Sequence, residues 1–240
     1  MERLSSPEWI LTCEHAGNKV PDAYRSLFGG TDEMLNSHIG WDPGALELAQ
    51  ILAEKTGVEL VTYPYTRLLV EPNRSIGHPK IFSEFTRHLP KAERQKIINR
   101  YYLPYRNKVA EVIKKNASQE IPTIHISVHT FTPVFDEKTR NFEIGLLYDP
   151  KRVHEKIVCQ RWRSILKQTF PDFRVRMNQP YKGSSDGFTT FLRKLFNKKL
   201  YMGIELEVNQ KLRFKNNSYW NQVCAKIGES MSGLFESTEQ

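Results

Sequence analysis

The sequence has no apolar stretch approaching the roughly 18 to 20 residues of a membrane span, and its opening "MERLSSPEW" lacks the basic-then-apolar pattern of a signal peptide. The expectation is a soluble, cytoplasmic protein. Cysteine is scarce: Cys13, Cys159 and Cys224 are odd in number, widely spaced and set among apolar neighbours. Neither a disulfide framework nor a zinc knuckle is indicated, which leaves three reduced core residues. There is no internal repeat, no low-complexity linker and no break in composition, so residues 1–240 read as one domain. A P-loop, a dinucleotide fingerprint and a nucleophile elbow are missing too.

What is present is an ordinary core, 39% hydrophobic and 11% aromatic, under a surplus of positive charge. Lys+Arg 35 against Asp+Glu 27 gives +8, which favours acidic partners without choosing among nucleic acid, anionic membrane and small carboxylate. The basic runs "RQKIINR", "VIKKN", "RWRSILK" and "RKLFNKK" fall inside helically spaced segments and read as solvated helix faces. Strand-like segments (residues 8–13, "VELVTY", "TIHISVH", "EIGLLYD", "FRVRMN", "YMGIELEVN") alternate with helical ones. "ALELAQILAEKTG" closes on Gly57, and Pro104 marks a kink or break in a long helical stretch. This pattern predicts an α/β fold with a mixed, mostly parallel sheet and helices on both faces. In such sheets polar chemistry collects beyond the strand ends.

That is where the unusual residues fall. In "TIHISVHTFTP" a period of two puts His125, Ser127 and His129 on one face. Four residues of strand span about 13 Å, too far for both histidines to share one metal ion, and His129 at the strand end is the better candidate. "CEHAG" repeats the arrangement with His15, followed by Gly17 for a tight turn. Read alone, either histidine has a satisfied core group as its ordinary explanation; two at strand ends support a hydrolytic metal site with three protein ligands. The position three after His15 is Asn18, a poor ligand, so the third comes from Glu14, Asp42 or Glu71. "TRLLVEPNRS" offers Arg67, Asn73 and Arg74 as a carboxylate-binding fork, although Arg67 could equally pair with Glu71. In "GIELEVN" Glu205 and Glu207 share a face. On an interior strand one is expected to pair with an arginine and the other to serve as a base; on an edge strand both are simply solvated. "NQPYKGSSDGFT" supplies Tyr181 as a hydrogen-bond donor to substrate, with Ser185 or Asp186 as the bland helix cap.

Taken in order, "CEHAGNKVP", "HIGWDPGALELA", "TRLLVEPNRS", "SVHTFTPVF…RNFEIGLLYD", "NQPYKGSSDGFT" and "GIELEVNQ" resemble the N-formylglutamate amidohydrolase family from about Leu11 to Gln210. The resemblance implies a zinc-carboxypeptidase-like (phosphorylase/hydrolase-like) fold and a divalent metal cofactor, zinc in the relatives. It implies His15 and His129 as metal ligands, Asn73 and Arg74 with Arg67 upstream as the substrate-carboxylate site, and Glu207 as general base. Asn18 stands where the relatives carry their zinc-binding glutamate; Asp42 is taken as the third ligand, with Glu14 and Glu71 as alternatives. Tyr181 would donate to the tetrahedral intermediate. The activity implied is metal-dependent hydrolysis of a small acidic N-acyl amino acid such as N-formylglutamate, with no membrane or nucleic-acid partner. The alternatives are another N-acyl amino acid or a peptide terminus as substrate, or a non-catalytic basic binding protein on the same fold.

Overall fold

The computed structural model describes residues 6–238, and their backbone alternates strand and helix almost throughout. In chain order it forms β1 (Glu8–Cys13), a 3-10 segment (Asp22–Phe28), α1 (Asp32–Asn36), α2 (Ala45–Thr56), β2 (Leu60–Thr62) and α3 (Lys91–Ile97). Next come α4 (Leu103–Ser118), β3 (Thr123–Phe131), a hairpin of β4 (Val134–Phe135) and β5 (Lys138–Thr139), and β6 (Ile144–Leu147). The chain closes with α5 (Val153–Thr169), β7 (Val175–Met177), α6 (Phe188–Leu195), β8 (Tyr201–Asn209) and α7 (Asn217–Thr238).

Six strands pair in the order β2-β1-β3-β8-β6-β7. Neighbours are parallel except for β6 against β8. The sheet is therefore mixed and mostly parallel, as the alternation of elements predicts. β8 lies in the interior between β3 and β6, so Glu205 and Glu207 are not on a solvated edge. Each face carries its own apolar cluster. On one, Ile124, Ile126 and Val128 of β3 and Ile204, Leu206 and Val208 of β8 meet α2, α5 and α7 through Leu48, Leu52, Trp162, Leu166, Trp220 and Ile227. On the other, Ile10 and Tyr63 meet α4 and α6 through Tyr105, Val109, Ile113, Phe188 and Leu192. Burial on both faces explains why all nine residues of β3 are buried. The three cysteines are buried and free. No helix among the described residues is long and apolar enough to cross a membrane.

Of the kink or break expected at Pro104, the structure shows no break but a local change of helix type. Pro104 sits in the first turn of α4, and the helix runs on into it from α3 through a π-helical turn, Ile98–Tyr102. A proline ring clashes with the carbonyl four residues back and leaves it without its usual donor. Widening the preceding turn relieves that crowding and keeps the helix continuous.

One close approach ties the sheet to the loop that follows β7. Gly145 of β6 pairs across the sheet with Glu207, and a Cβ on it would lie 2.0 Å from the Gln179 carbonyl oxygen and 3.4 Å from Glu207 Cβ. The loop over residues 178–186 crosses β6 at this point only because no side chain intervenes. Gly145→Ala is expected to destabilise the protein by about 1–3 kcal/mol, the usual effect of overpacking, read as a lower denaturation midpoint at unchanged m. An unchanged midpoint would show that the crossing has slack.

Candidate active site

Three neighbouring parallel strands deliver reactive side chains to one edge of the sheet. Glu14 and His15 follow directly on β1, His129 lies two residues before the end of β3, and Glu207 two before the end of β8. The β3–β8 register sets Ser127 beside Glu205 and His129 beside Glu207, all on one face. Gly17 lets the turn after His15 settle against β2's exit: a Cβ there would lie 2.4 Å from the Pro64 carbonyl oxygen. The need is for close approach. Asn18 is turned away, its amide donating to the Leu35 carbonyl at 3.1 Å and to Asn36 Oδ1 at 2.9 Å.

Asp42 enters from the loop before α2, where its N–H donates to the His15 carbonyl at 3.1 Å. Its Oδ2 lies 3.1 Å from His15 Nδ1 and 2.9 Å from His129 Nδ1. The opposite nitrogen of each ring faces a carboxylate of its own. Glu71 Oε1 is 2.6 Å from His15 Nε2, and Glu14 Oε2 is 3.2 Å from His129 Nε2, with Ser127 Oγ 2.9 Å from that nitrogen. Glu14 is fixed in turn by the hydroxyls of Tyr105 at 2.7 Å and Ser127 at 2.5 Å. Arg67 donates from Nε to Glu71 Oε2 at 2.6 Å and reaches Asp42 Oδ1 from Nη1 at 3.4 Å. Of the two sequence readings of Arg67, the pairing with Glu71 is the one seen in the structure.

Burial opposes every charge in this group, and the neighbours outweigh it. Against burial, His129, His125 and Ser127 hold the Glu14 carboxyl well below its ordinary value; His15 and His129 do so for Asp42, and Arg67 and His15 for Glu71. Burial and Arg67 push the His15 imidazole down, but Glu71 and Asp42 raise it on balance. His129 goes well above the usual histidine range, as Asp42 and Glu14 overcome its burial. Three carboxylates facing one guanidinium are neutralised when both rings carry a second proton. Exchanging those two protons for one divalent cation would leave the charge unchanged. Ligand atoms of His15, Asp42 and His129 lie within 4.8 Å of one another, and two imidazole nitrogens with a carboxylate oxygen are a donor set that zinc and similar ions accept. The residues present fit such an ion.

Glu207 is the exception to this pairing. It is 4% exposed, and its Oε2 has no hydrogen-bond partner among the described residues. Burial, helped by Asp42 and Glu205 and opposed by the two histidines, pushes its carboxyl up to about 8. Among the described residues neither strand acid makes the expected ion pair with an arginine: Glu205 Oε1 accepts from the Thr189 hydroxyl at 2.7 Å, because Thr189 on α6 packs over β8. His125 lies outside the group, between Thr12 Oγ1 at 2.7 Å and Tyr201 Oη at 2.8 Å, with burial pushing its imidazole down to about 4.

A cavity of about 370 Å³ opens onto these groups, and Arg67, Asn73, Arg74, Tyr181, Lys80 and Lys182 also line it. Asn73 Oδ1 accepts the Phe188 N–H at 2.6 Å and so caps α6 in place of Ser185 or Asp186. Asp186 is engaged elsewhere, accepting from the Ser75 N–H at 3.1 Å and the Ser75 hydroxyl at 2.6 Å. Arg74 donates from Nη1 to the Asp186 carbonyl. From behind, Arg106 Nη1 donates to the carbonyls of Pro72 at 3.0 Å and Arg74 at 3.1 Å, and the Tyr102 hydroxyl donates to Arg74 at 2.6 Å. Sequence reasoning did not single out Tyr105, Arg106, Lys80, Lys182 or Arg140, and it gave Ser127 no role. Ser127 shares the alternation of His129 and was legible on that ground; the others depend on contacts remote in sequence.

The two sets of shifts act in opposite directions on stability. Carboxyls held below their ordinary 3.8–4.5 contribute stability above that range and lose it as pH falls. Imidazoles held above 6.5 contribute fully below 6.5 and lose it as pH rises through their folded values. Protein kept metal-free with a chelator is therefore expected to have its highest thermal midpoint at about pH 5–6, falling on both sides. A midpoint flat from pH 5 to 9 would contradict this charge balance.

A family model described as N-formylglutamate amidohydrolase matches residues 7–213. Among solved structures, the chain is similar to gene product Atu2144 from Agrobacterium tumefaciens, at 26% identity and a TM-score of 0.83, over 98% of this chain and 92% of that one. It is also similar to N-formylglutamate amidohydrolase from Ralstonia eutropha JMP134, at 16% identity and a TM-score of 0.65, over 98% of this chain and 96% of that one. At that identity the second likeness speaks for the fold alone. No curated protein matches. Because the family model spans most of the sequence, including the strand-end histidines, Asp42 and Glu207, the chain belongs to the N-formylglutamate amidohydrolase family and is an amidohydrolase.

Proposed function

We propose that this amidohydrolase is metal-dependent and cleaves the amide of a small acidic N-acyl amino acid, with N-formylglutamate as the reference substrate. The observation that carries the reading is the Glu207 carboxyl. It is buried at the cavity, with one oxygen free of hydrogen bonds, and its strand pairs with the one that supplies His129. A buried acid without a partner is costly to keep unless it has work to do.

In this reading His15, His129 and Asp42 would hold the ion, and Glu71 and Glu14 fix the ring orientations from the Nε2 side, the usual role of carboxylates behind metal-bound histidines. Lewis-acid polarisation of the amide carbonyl and a lowered pKa for a water are what a divalent cation would supply there. Glu207 takes the water's proton on Oε2 and returns it to the departing amine nitrogen. Tyr181, at the cavity, donates its hydroxyl to the oxygen that gains charge. Asn73 Nδ2 and the nitrogens of Arg74 not engaged by Asp186 bind the substrate carboxylate; Arg67 offers only the edge of a guanidinium already committed to Glu71. The cavity, at about 370 Å³, suits a small ligand.

Purified protein is expected to hold about one divalent ion per chain by elemental analysis, and His15→Ala, His129→Ala and Asp42→Asn to lose it. Full occupancy in all three variants would remove the ligand assignment. Across N-formyl, N-acetyl and N-succinyl derivatives of glutamate and aspartate, the wild type is expected to hydrolyse at least one. On that substrate Glu207→Gln should fold and keep its metal while kcat falls by about 10²-fold or more. Retained turnover would move the base to another residue, and no hydrolysis of any derivative would refute the substrate class.

A further inference from the structure

Arg140 joins two segments that both line the cavity. It follows the β4–β5 hairpin, whose Phe135 lines the cavity, as does Tyr181 of the loop over residues 178–186. Its guanidinium carbon lies 4.7 Å from the Phe135 ring centroid and 5.1 Å from that of Tyr181. Nη2 donates to the Tyr181 hydroxyl oxygen at 3.2 Å, and Nη1 reaches the Thr132 carbonyl and hydroxyl at 3.4 and 3.3 Å. No carboxylate lies within ion-pair distance of it among the described residues. We infer that Arg140 is a positioning residue, which clamps the hairpin to the loop over residues 178–186 and aims the Tyr181 hydroxyl into the cavity.

Three observations support the assignment. Phe135 and Tyr181 are 54% and 45% exposed, so little packing other than this cation fixes their rings. A planar guanidinium stacks on aromatic faces and donates in its own plane, which lets one group hold both rings and the phenol. The hairpin turn also needs an external hold. Asp136 and Glu137 both adopt positive φ, 51° and 59°, and neither is the glycine that such two-residue turns prefer. Arg140 itself is tied to the reaction edge, since its carbonyl accepts from Asn209 Nδ2 at 3.1 Å at the end of β8.

The hydrogen bond also sets a direction. The Tyr181 oxygen accepts from Arg140, so its own proton is left to be donated elsewhere. Tyr181 lines the cavity, where the charged intermediate of the reaction would form. This last step rests on the amidohydrolase reading above; the clamp does not.

The test uses the metal-loaded full chain with Arg140→Gln, Arg140→Lys, Tyr181→Phe and the double variant Arg140→Gln/Tyr181→Phe. Hydrogen exchange of the amides in residues 132–139 is expected to speed up at least tenfold in Arg140→Gln and to stay near wild type in Tyr181→Phe, which keeps the ring. Exchange unchanged in Arg140→Gln overturns the clamp whatever the activity. With a hydrolysed substrate, kcat should fall about tenfold or more in Arg140→Gln with KM little changed, and Arg140→Lys should not restore it. In the Tyr181→Phe background Arg140→Gln should have no further effect on kcat; independent, multiplicative losses overturn the role in aiming the phenol. If no substrate is hydrolysed, the functional reading fails, and the exchange result still decides the clamp.

Discussion

The site depends on one carboxylate oxygen shared by two buried rings. Asp42 Oδ2 lies about equally close to Nδ1 of His15 and of His129, which arrive from different strands. Each ring is backed on its far side by a separate glutamate, and each glutamate is anchored by donors of its own, Tyr105 and Ser127 for Glu14 and Arg67 for Glu71. Removing any one member leaves an uncompensated buried charge, an outcome that typically costs about 3–5 kcal/mol. The ring orientations are therefore set by electrostatic necessity as much as by packing.

The loop that carries Asn73 and Arg74 is braced in a comparable way. Asn73 gives one amide oxygen to the N-terminus of α6, so the same side chain that faces the cavity also starts a helix. Behind it, Arg106 sits over the rings of Phe188 and Phe191 at 4.4 and 4.3 Å while holding two carbonyls of the loop. Tyr102, on the last residue of the π turn, adds a third bond to the Arg74 carbonyl. The widened turn that accommodates Pro104 is thus also what supports the anion-facing loop.

Much of this was legible in the sequence because a period of two is a local signal. Alternation in "TIHISVH" and "GIELEVN" separates core-facing from site-facing residues, and the β3–β8 register then places them side by side. Strand-end placement picked out His15 and His129, and the family resemblance chose Glu207 over Glu205. What stayed hidden are partners fixed by distance in the chain. Nothing near Glu14 shows that it will stand behind His129, and nothing near Asn73 that it will cap a helix over a hundred residues on. Arg140 is the extreme case, since its ring partners come from a hairpin turn and from a loop that crosses β6 over a glycine. Glu205 was misread for the same reason: its partner is a threonine on a helix whose packing the sequence does not specify.

Strand order has a consequence for how the site comes into being. β8 is the last strand to be synthesised, yet it occupies the middle of the sheet between β3 and β6. While residues 201–209 are still to emerge from the ribosome, β3 has no neighbour on that side and Glu207 does not exist. Long-range pairing of this kind closes late and slowly. The edge of the sheet that carries the site is therefore completed only when the central strand inserts, so a nascent or truncated chain can hold its histidines and still lack the buried acid that stands beside them.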